Sequence, residues 1–435
     1  MRISVSILAV LLLSRSTSSF SIQSTSRSAQ RHPSPLLSAT NTNNNIVLEP
    51  SYDIESAFDN FKIGSARVHR YTLDTAAPGD QTEYVMWYHG RSTQLDEKKT
   101  LPPLSTGRIG RAVSNNGLAW EKCTTGSVSE DASDVALGLN NESWWGFDTA
   151  HVGLGNVLLP MQTPAVIAEG GIYLMYYMGG SHEETKMKEY VTEDVTLPES
   201  MEDAMVAGMN MKIGVALSQD GGTWGRVEGD DPTGACIVPT ENEMYCAWPD
   251  VVVNLEGKPD ENFRMYYSTM KKDTKEKCIA CAVSEDGFRW RQMGVCLAPS
   301  ADTLDNVGCA RCCVVQDAVF EDGAWTVVEN SWKMYYEGVS SLDKKHRIMM
   351  AESRDGFLWE KIGVALDIGG DEAWDAGGVG SPHCIRYVKQ LKFSSKKQDM
   401  LTSTFAPKYT QIGRWLQSYV LHGTVFRRKD MHRRG

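Results

Sequence analysis

One twelve-residue pattern occurs four times in this chain and restricts its fold more than any bulk property. Ile109 begins IGRAVSNNGLAW, Ile213 begins IGVALSQDGGTW, Ile279 begins IACAVSEDGFRW and Ile348 begins IMMAESRDGFLW. Each copy alternates as a strand does, then meets the Asn-Gly or Asp-Gly pair favoured in tight hairpins. The Trp that follows starts the returning strand and offers a broad face for packing between sheets. Upstream of each copy lies an aromatic and apolar run with the character of a buried strand: YVMWYHG (84–90), YLMYYMG (173–179), FRMYYST (263–269) and WKMYYEG (332–338). A weaker repeat precedes these runs: IGSAR (63–67), VGLGN (152–156), CAWPD (246–250), VGCAR (307–311) and VGSPH (379–383). Units of about four strands, repeated in this order, predict an all-β propeller, whose radial closure protects the sheet edges. The five starts predict five blades. The hairpin copies are then blade hardware and carry no chemistry of their own.

With MYYEG, IGVALSQDGGTW and WDAGGVGSPH in view, residues from about 59 to 387 resemble the five-bladed propeller superfamily of arabinanases, levansucrases and invertases. That resemblance implies a carbohydrate-active protein and, in several of its families, glycoside hydrolysis. It further implies an Asp, a second Asp and a Glu at inner-strand starts, acting as base, pKa tuner and acid. The invertase motif Trp-Met-Asn-Asp-Pro-Asn-Gly and its Arg-Asp-Pro and Glu-Cys signatures are absent, which argues against a retaining fructosidase. After Tyr387 neither an aromatic strand nor an Asp-Gly-x-x-Trp turn follows, so residues 388–435 read either as an irregular, diverged fifth blade or as a faulty stretch of the gene's translation.

The net charge of −11 hides an asymmetry. Residues 1–48 contain four Arg and no acid, so 49–435 carry 40 basic against 55 acidic groups, a net of −15. A body that acidic is a poor partner for a phosphate backbone, and nucleic acid is not expected. Residues 1–19 read as a signal peptide, with an apolar stretch at 3–13 too short to span a bilayer and a cleavage point between Ser19 and Phe20. Residues 20–48 have the composition of a transit peptide, and the two together resemble the bipartite plastid presequence of algae with secondary plastids. Secretion with a disordered leader is the alternative. No later stretch is long and apolar enough to suggest a membrane span, and the mature propeller (49–435) is expected to be a soluble monomer.

The inner strand of each blade lines the channel. Four residues after its Val, Ile or Cys stand Arg67, Asn156, Asp250, Arg311 and His383, all polar. Four residues before it stand Asp59, Asp148, Asn242 and Asp375, with Asp302 one place out of register in blade four. Such Asp residues also make good loop caps. The second strands end in His89, Met178, Ser268 and Glu337 on the same face. Asp148, Asp250, Asp375 and Glu337 are therefore the candidate catalytic carboxylates. Two such groups at about 6.5–9.5 Å serve an inverting glycosidase, and at about 5–5.5 Å a retaining one. On the resemblance, Asp250 takes the base or tuner role and Glu337 the acid. Arg67, His89, Asn156, Trp248, Arg311 and His383 are the candidate substrate ligands, and the Arg and His residues suit a phosphate or a carboxylated sugar equally. Trp144 and Trp145 join Trp248 as candidates for stacking on a sugar ring.

No metal or cofactor is expected. Cys278/Cys281 and Cys309/Cys312 lie in strand-like runs, where side chains three apart point to opposite faces, so neither pair makes a metal clamp. Nucleophile-elbow, P-loop, zincin and dinucleotide patterns are missing. The acidic, Met-rich stretch 181–211 is an insertion between the second and third strands of blade two, placed to act as a lid. The competing class is a propeller that binds a sugar or sugar phosphate without cleaving it.

Overall fold

In the computed structural model of the chain, the described residues are 46–72, 82–92, 106–123, 135–159, 172–191, 203–254, 259–321, 324–387 and 418–425. The expected leader lies outside them except for 46–48, and so does most of the irregular stretch 388–435. Among them there is no α-helix.

The first sheet contains β1 (Lys62–Thr72), β2 (Thr82–Arg91), β3 (Gly107–Ser114) and β4 (Glu121–Lys122), with β5 (Val135–Leu137) pairing β3. In the second, β6 (His151–Leu158) and β7 (Tyr173–Gly180) are followed by a small hairpin, β8 (Glu184–Lys186) and β9 (Met205–Ala207), before β10 (Lys212–Ser218) and β11 (Gly225–Val227) complete the sheet. The third comprises β12 (Ala247–Val253), β13 (Phe263–Met270), β14 (Lys277–Ser284) and β15 (Arg291–Leu297). The fourth comprises β16 (Gly308–Glu321), β17 (Ala324–Val339), β18 (His346–Ser353) and β19 (Glu360–Leu366). Last come β20 (Val379–Tyr387) and β21 (Ser418–Val425), paired with each other.

Within each sheet the ladder is antiparallel in chain order. The first strands are neighbours in space: β1 touches β6 and β20, β6 touches β12, and β12 and β20 both touch β16. They stand side by side around one axis and do not pair with one another; the third and fourth sheets are joined only by a parallel bridge between β14 and β16, Lys277 to Gly308. That is a β-propeller.

The repeated hairpins behave as expected and do one thing more. In each, the Ser hydroxyl accepts the Gly N–H, at 2.8–2.9 Å, and the Asp or Asn carbonyl-type oxygen accepts the next two backbone N–H groups. The turn Gly has positive φ, from 68° at Gly221 to 81° at Gly287, which other residues adopt at a cost. Its carbonyl then accepts a hydrogen bond from the second strand of the preceding blade. Trp87 donates to Gly221, Tyr176 to Gly287 and Tyr266 to Gly356, at 2.7, 3.0 and 2.9 Å. Three copies of the repeat thus latch blade one to two, two to three and three to four at the rim.

A second recurring device ties each blade to the loop that enters it. Tyr88, Tyr177 and Tyr336 donate to the carboxylates of Asp59, Asp148 and Asp305, and Tyr267 donates to Glu243. The fourth strands complete these clusters with Lys122, Arg226 and Lys361, and with Gln292 in the third sheet. Asp148 is thereby a 1% exposed blade staple, the loop role that such a residue also fits. The equivalent in the fourth sheet is Asp305, not Asp302, and in the third it is Glu243, not Asn242. Cys309 pairs with Gly338 as Ile63 pairs with Gly90 and Val152 with Gly179, which sets the true register of blade four two residues beyond Val307.

Candidate functional site

Every first strand is bulged at the same level, where its pairing to the second strand slips: between Gly64 and Arg67, Leu154 and Asn156, Ala247 and Asp250, Ala310 and Cys312, and Gly380 and His383. Ser65, Trp248, Arg311 and Ser381 occupy the bulges with φ between 42° and 52°. Bulges of this kind re-aim side chains and are common beside functional sites. They divide the channel into two layers.

The lower layer holds Arg67, Asn156, Asp250 and His383. Packed first strands that do not hydrogen-bond each other leave buried backbone groups in need of partners, and these side chains supply them. Arg67 donates to the carbonyls of Gly155, Pro382 and Cys312 and faces Asp250 at 3.4 Å, so it reaches all four other first strands. Asn156 donates to the Val251 carbonyl at 2.8 Å, His383 lies 3.1 Å from that of Val68, and Asp250 accepts the Val314 N–H at 2.7 Å. Arg67, Asn156 and His383, expected to face a ligand, instead form a belt between strands. Arg311 does not belong to their layer, because the blade-four register is offset.

In the upper layer Glu337, at the end of β17, is fully buried. Its carboxylate accepts two contacts from Arg311, at 2.9 and 3.2 Å, a hydrogen bond from the Ser381 N–H at 3.1 Å, and a close contact from His346 Nδ1. The Arg311 guanidinium lies 4.5 Å above the Trp248 ring, a cation–π arrangement. His89, Ser268 and Met178 occupy the equivalent second-strand positions. His346 escaped notice in the sequence because it opens a third strand, at a place where the other blades carry no imidazole. No strand-end argument selects it.

The two channel carboxyls are pushed apart. Burial drives Asp250 up to about 6, opposed by Arg67 and the Val314 N–H. Burial acts the same way on Glu337, but Arg311, His346 and the Ser381 N–H outweigh it and hold the group down at about 2. At mildly acid pH Asp250 carries the proton and Glu337 the charge, the reverse of the expected roles.

Asp375 precedes β20 at the staple position, outside both layers. Trp248 is 3% exposed, whereas Trp144 is 86% and Trp145 51% exposed on the loop entering β6. Of the 181–211 insertion, 192–202 lie outside the described residues; the parts 181–191 and 203–211 lie on this face. Its Met187, Tyr190, Val206, Met209 and Met211 pack with Met178 and Trp248, and the Gly208 carbonyl meets His151 Nε2 at 2.8 Å. A groove of about 610 Å³ runs beside the insertion, lined by acids and lysines including Glu183, Lys212 and Lys275, away from Glu337 and Asp250. Among the described residues no group of three His, Cys, Asp or Glu is placed to hold a metal ion, and no helix is long and apolar enough to cross a membrane. All ten cysteines are free thiols.

No protein-family model and no curated protein matches the chain. Solved structures do match. A glycosyl hydrolase from Bacteroides ovatus is 12% identical, with 73% of this chain and 76% of that one covered and a TM-score of 0.43. A glycoside hydrolase at 17% identity covers 74% and 80%, with a TM-score of 0.45. An N-acetylgalactosamine deacetylase from F. plautii, solved with blood group B trisaccharide, is 13% identical over 80% of both chains, with a TM-score of 0.42. At these identities the likeness is one of fold.

Proposed function

We propose that the chain is a carbohydrate-active propeller that hydrolyses glycosidic bonds, with Asp250 as the proton donor and Glu337 as the ionised partner. The observation that carries this reading is the opposite displacement of the two channel carboxyls, which is how one site provides an acid and a base at one pH. Glu337 stabilises positive charge developing on the sugar, and Arg311 and His346 fix its orientation. The exposed Trp144–Trp145 pair, with ring centroids 5.9 Å apart, offers a stacking platform at the rim. Both carboxyls are buried, and the described parts of the insertion pack on Met178 and Trp248 at the mouth of the channel, so we assign the insertion the part of a lid.

A binding-only propeller is the second reading. It is favoured by the strand-to-strand bond that occupies Asp250. A screen of oligosaccharides for released reducing ends separates the two. Hydrolysis is expected below pH about 6, with losses of a hundredfold or more in Asp250→Asn and Glu337→Gln. Wild-type rates in both variants, or no cleavage of any glycan, would remove the hydrolase reading.

The same proposal takes β20 and β21 as the described part of a fifth blade and the mature protein as a monomer. It takes residues 1–48 as a plastid-directing leader. A fluorescent protein fused behind 1–48 should enter plastids; export to the medium would favour secretion.

A further inference from the structure

Above the belt, between the first two blades, basic groups converge on one buried corner. Pairing sets Lys62 opposite Arg91 and His89 opposite Gly64, while His151 opens the neighbouring strand opposite Gly180. The His89 ring lies over Gly153, where an added Cβ would come within 3.2 Å of it. His89 is 6% exposed, Arg91 and Arg311 4%, and His151 0%. His89 Nε2 and His151 Nδ1 have no hydrogen-bond partner among the described residues. Buried polar nitrogens in native proteins are nearly always satisfied, and those left over call for an explanation. Two imidazoles, each with one unsatisfied nitrogen, beside two guanidinium groups form a receptor for negative charge.

We propose that this corner receives the acidic group, carboxylate or phosphate, of a sugar ligand, bound by His89, His151, Arg91 and Arg311. The inference rests on the carbohydrate reading and deepens it by naming the ligand class. A guanidinium supplies paired donors matched to either oxyanion. His151 already directs Nε2 to the Gly208 carbonyl, so Nδ1 becomes a donor when the ring is protonated. Without a ligand, burial holds His151 at about 4 and His89 well below its usual value, with Arg91 and Arg311 acting in the same direction on His89. Nearby carboxylates are engaged at least in part: Glu337 with Arg311 and His346, and Asp148 through Oδ2 with Arg226 and Tyr177, while its Oδ1 has no hydrogen-bond partner among the described residues and its charge favours protonated His151. An entering anion supplies the opposite charge and favours the protonated rings.

The test is calorimetric titration of the full chain with glucuronate, glucose 6-phosphate and glucose. Binding of at least one acidic sugar ten times more tightly than glucose is expected, and the arm that binds identifies the group. His89→Gln and Arg91→Gln should each weaken that binding tenfold or more while the melting profile shows a folded protein. If Arg91→Gln does not fold, the wild-type selectivity and His89→Gln decide. Equal binding of glucose, no binding of any of the three, or unchanged affinity in His89→Gln would overturn the assignment. Cleavage of a neutral glycan without preference for acidic sugars would overturn it and leave the hydrolase reading standing. Acidic-sugar binding with no cleavage of any glycan does the opposite.

Discussion

The rim and the hub of this propeller hold the blades together by different means. At the rim, the Ser-x-Asp-Gly-x-x-Trp turn recurs with the same hydrogen bonds and an interblade latch from Trp87, Tyr176 or Tyr266. At the hub no two blades contribute the same side chain: Arg67, Asn156, Asp250 and His383 each solve a local shortage of backbone partners. A redundant joint tolerates the loss of one copy, whereas a joint made of unlike, buried, interlocking groups does not. The largest effects of mutation should therefore lie at the hub.

Arg67→Met gives the most severe outcome. It removes donors to three first strands and strands Asp250 in a buried site, at a cost of about 3–5 kcal/mol. Urea denaturation measures this, and a loss below about 1 kcal/mol would make the hub no more critical than the rim.

Next in size is a difference in pH dependence. Asp250 is held above its unfolded value of 3.8, so the stability it gives is present below that pH and is lost as pH rises through about 6. Buried His69 and His151 act in the opposite sense: both are held at about 4, and their contribution is lost as pH falls from 6.5. Asp250→Asn removes only the first effect. Relative to wild type, the variant should gain up to about 3 kcal/mol between pH 4 and 7, read from paired denaturation curves. A constant difference would mean that Asp250 is not held protonated. At 2% exposure Asp250 is not in water, so its substitution acts on stability as well as on any activity.

The insertion comes third. Replacing 183–208 by a short Gly-Ser turn exposes Met178 and Trp248 and should lower ligand affinity about tenfold, or about 1.4 kcal/mol. Unchanged affinity in a folded variant would make the insertion a docking surface or a passive addition. Smallest is a single rim turn. Asp355→Ala loses acceptors for the Phe357 and Leu358 N–H groups at an exposed site and should cost about 0.5–1.5 kcal/mol.

The same contrast explains what the sequence made legible. The rim could be read because four copies share residue types and spacing, so strand order and turn follow directly. The hub could not be read at that precision because counting along a strand assumes regular alternation, and a bulge breaks it. The offset moved Arg311 into the upper layer and put Asp305 where Asp302 was expected. Glu243 replaced Asn242 as the staple because a longer side chain reaches Tyr267 from one residue further along. The candidates Asp250, Glu337, Arg311 and His89 were visible as polar interruptions in apolar runs. Their protonation was not, since it depends on neighbours from other blades: Arg67 for Asp250, and Ser381 as well as Arg311 and His346 for Glu337.

The central claim is that at mildly acid pH the hub holds Asp250 protonated while Glu337 is ionised. Carboxyl-carbon NMR titration of selectively labelled wild type and Asp250→Asn tests it most directly. The account predicts an aspartate signal that titrates near 6 and vanishes in the variant, with the Glu337 signal ionised down to about 2. An Asp250 signal titrating below 4 would contradict it.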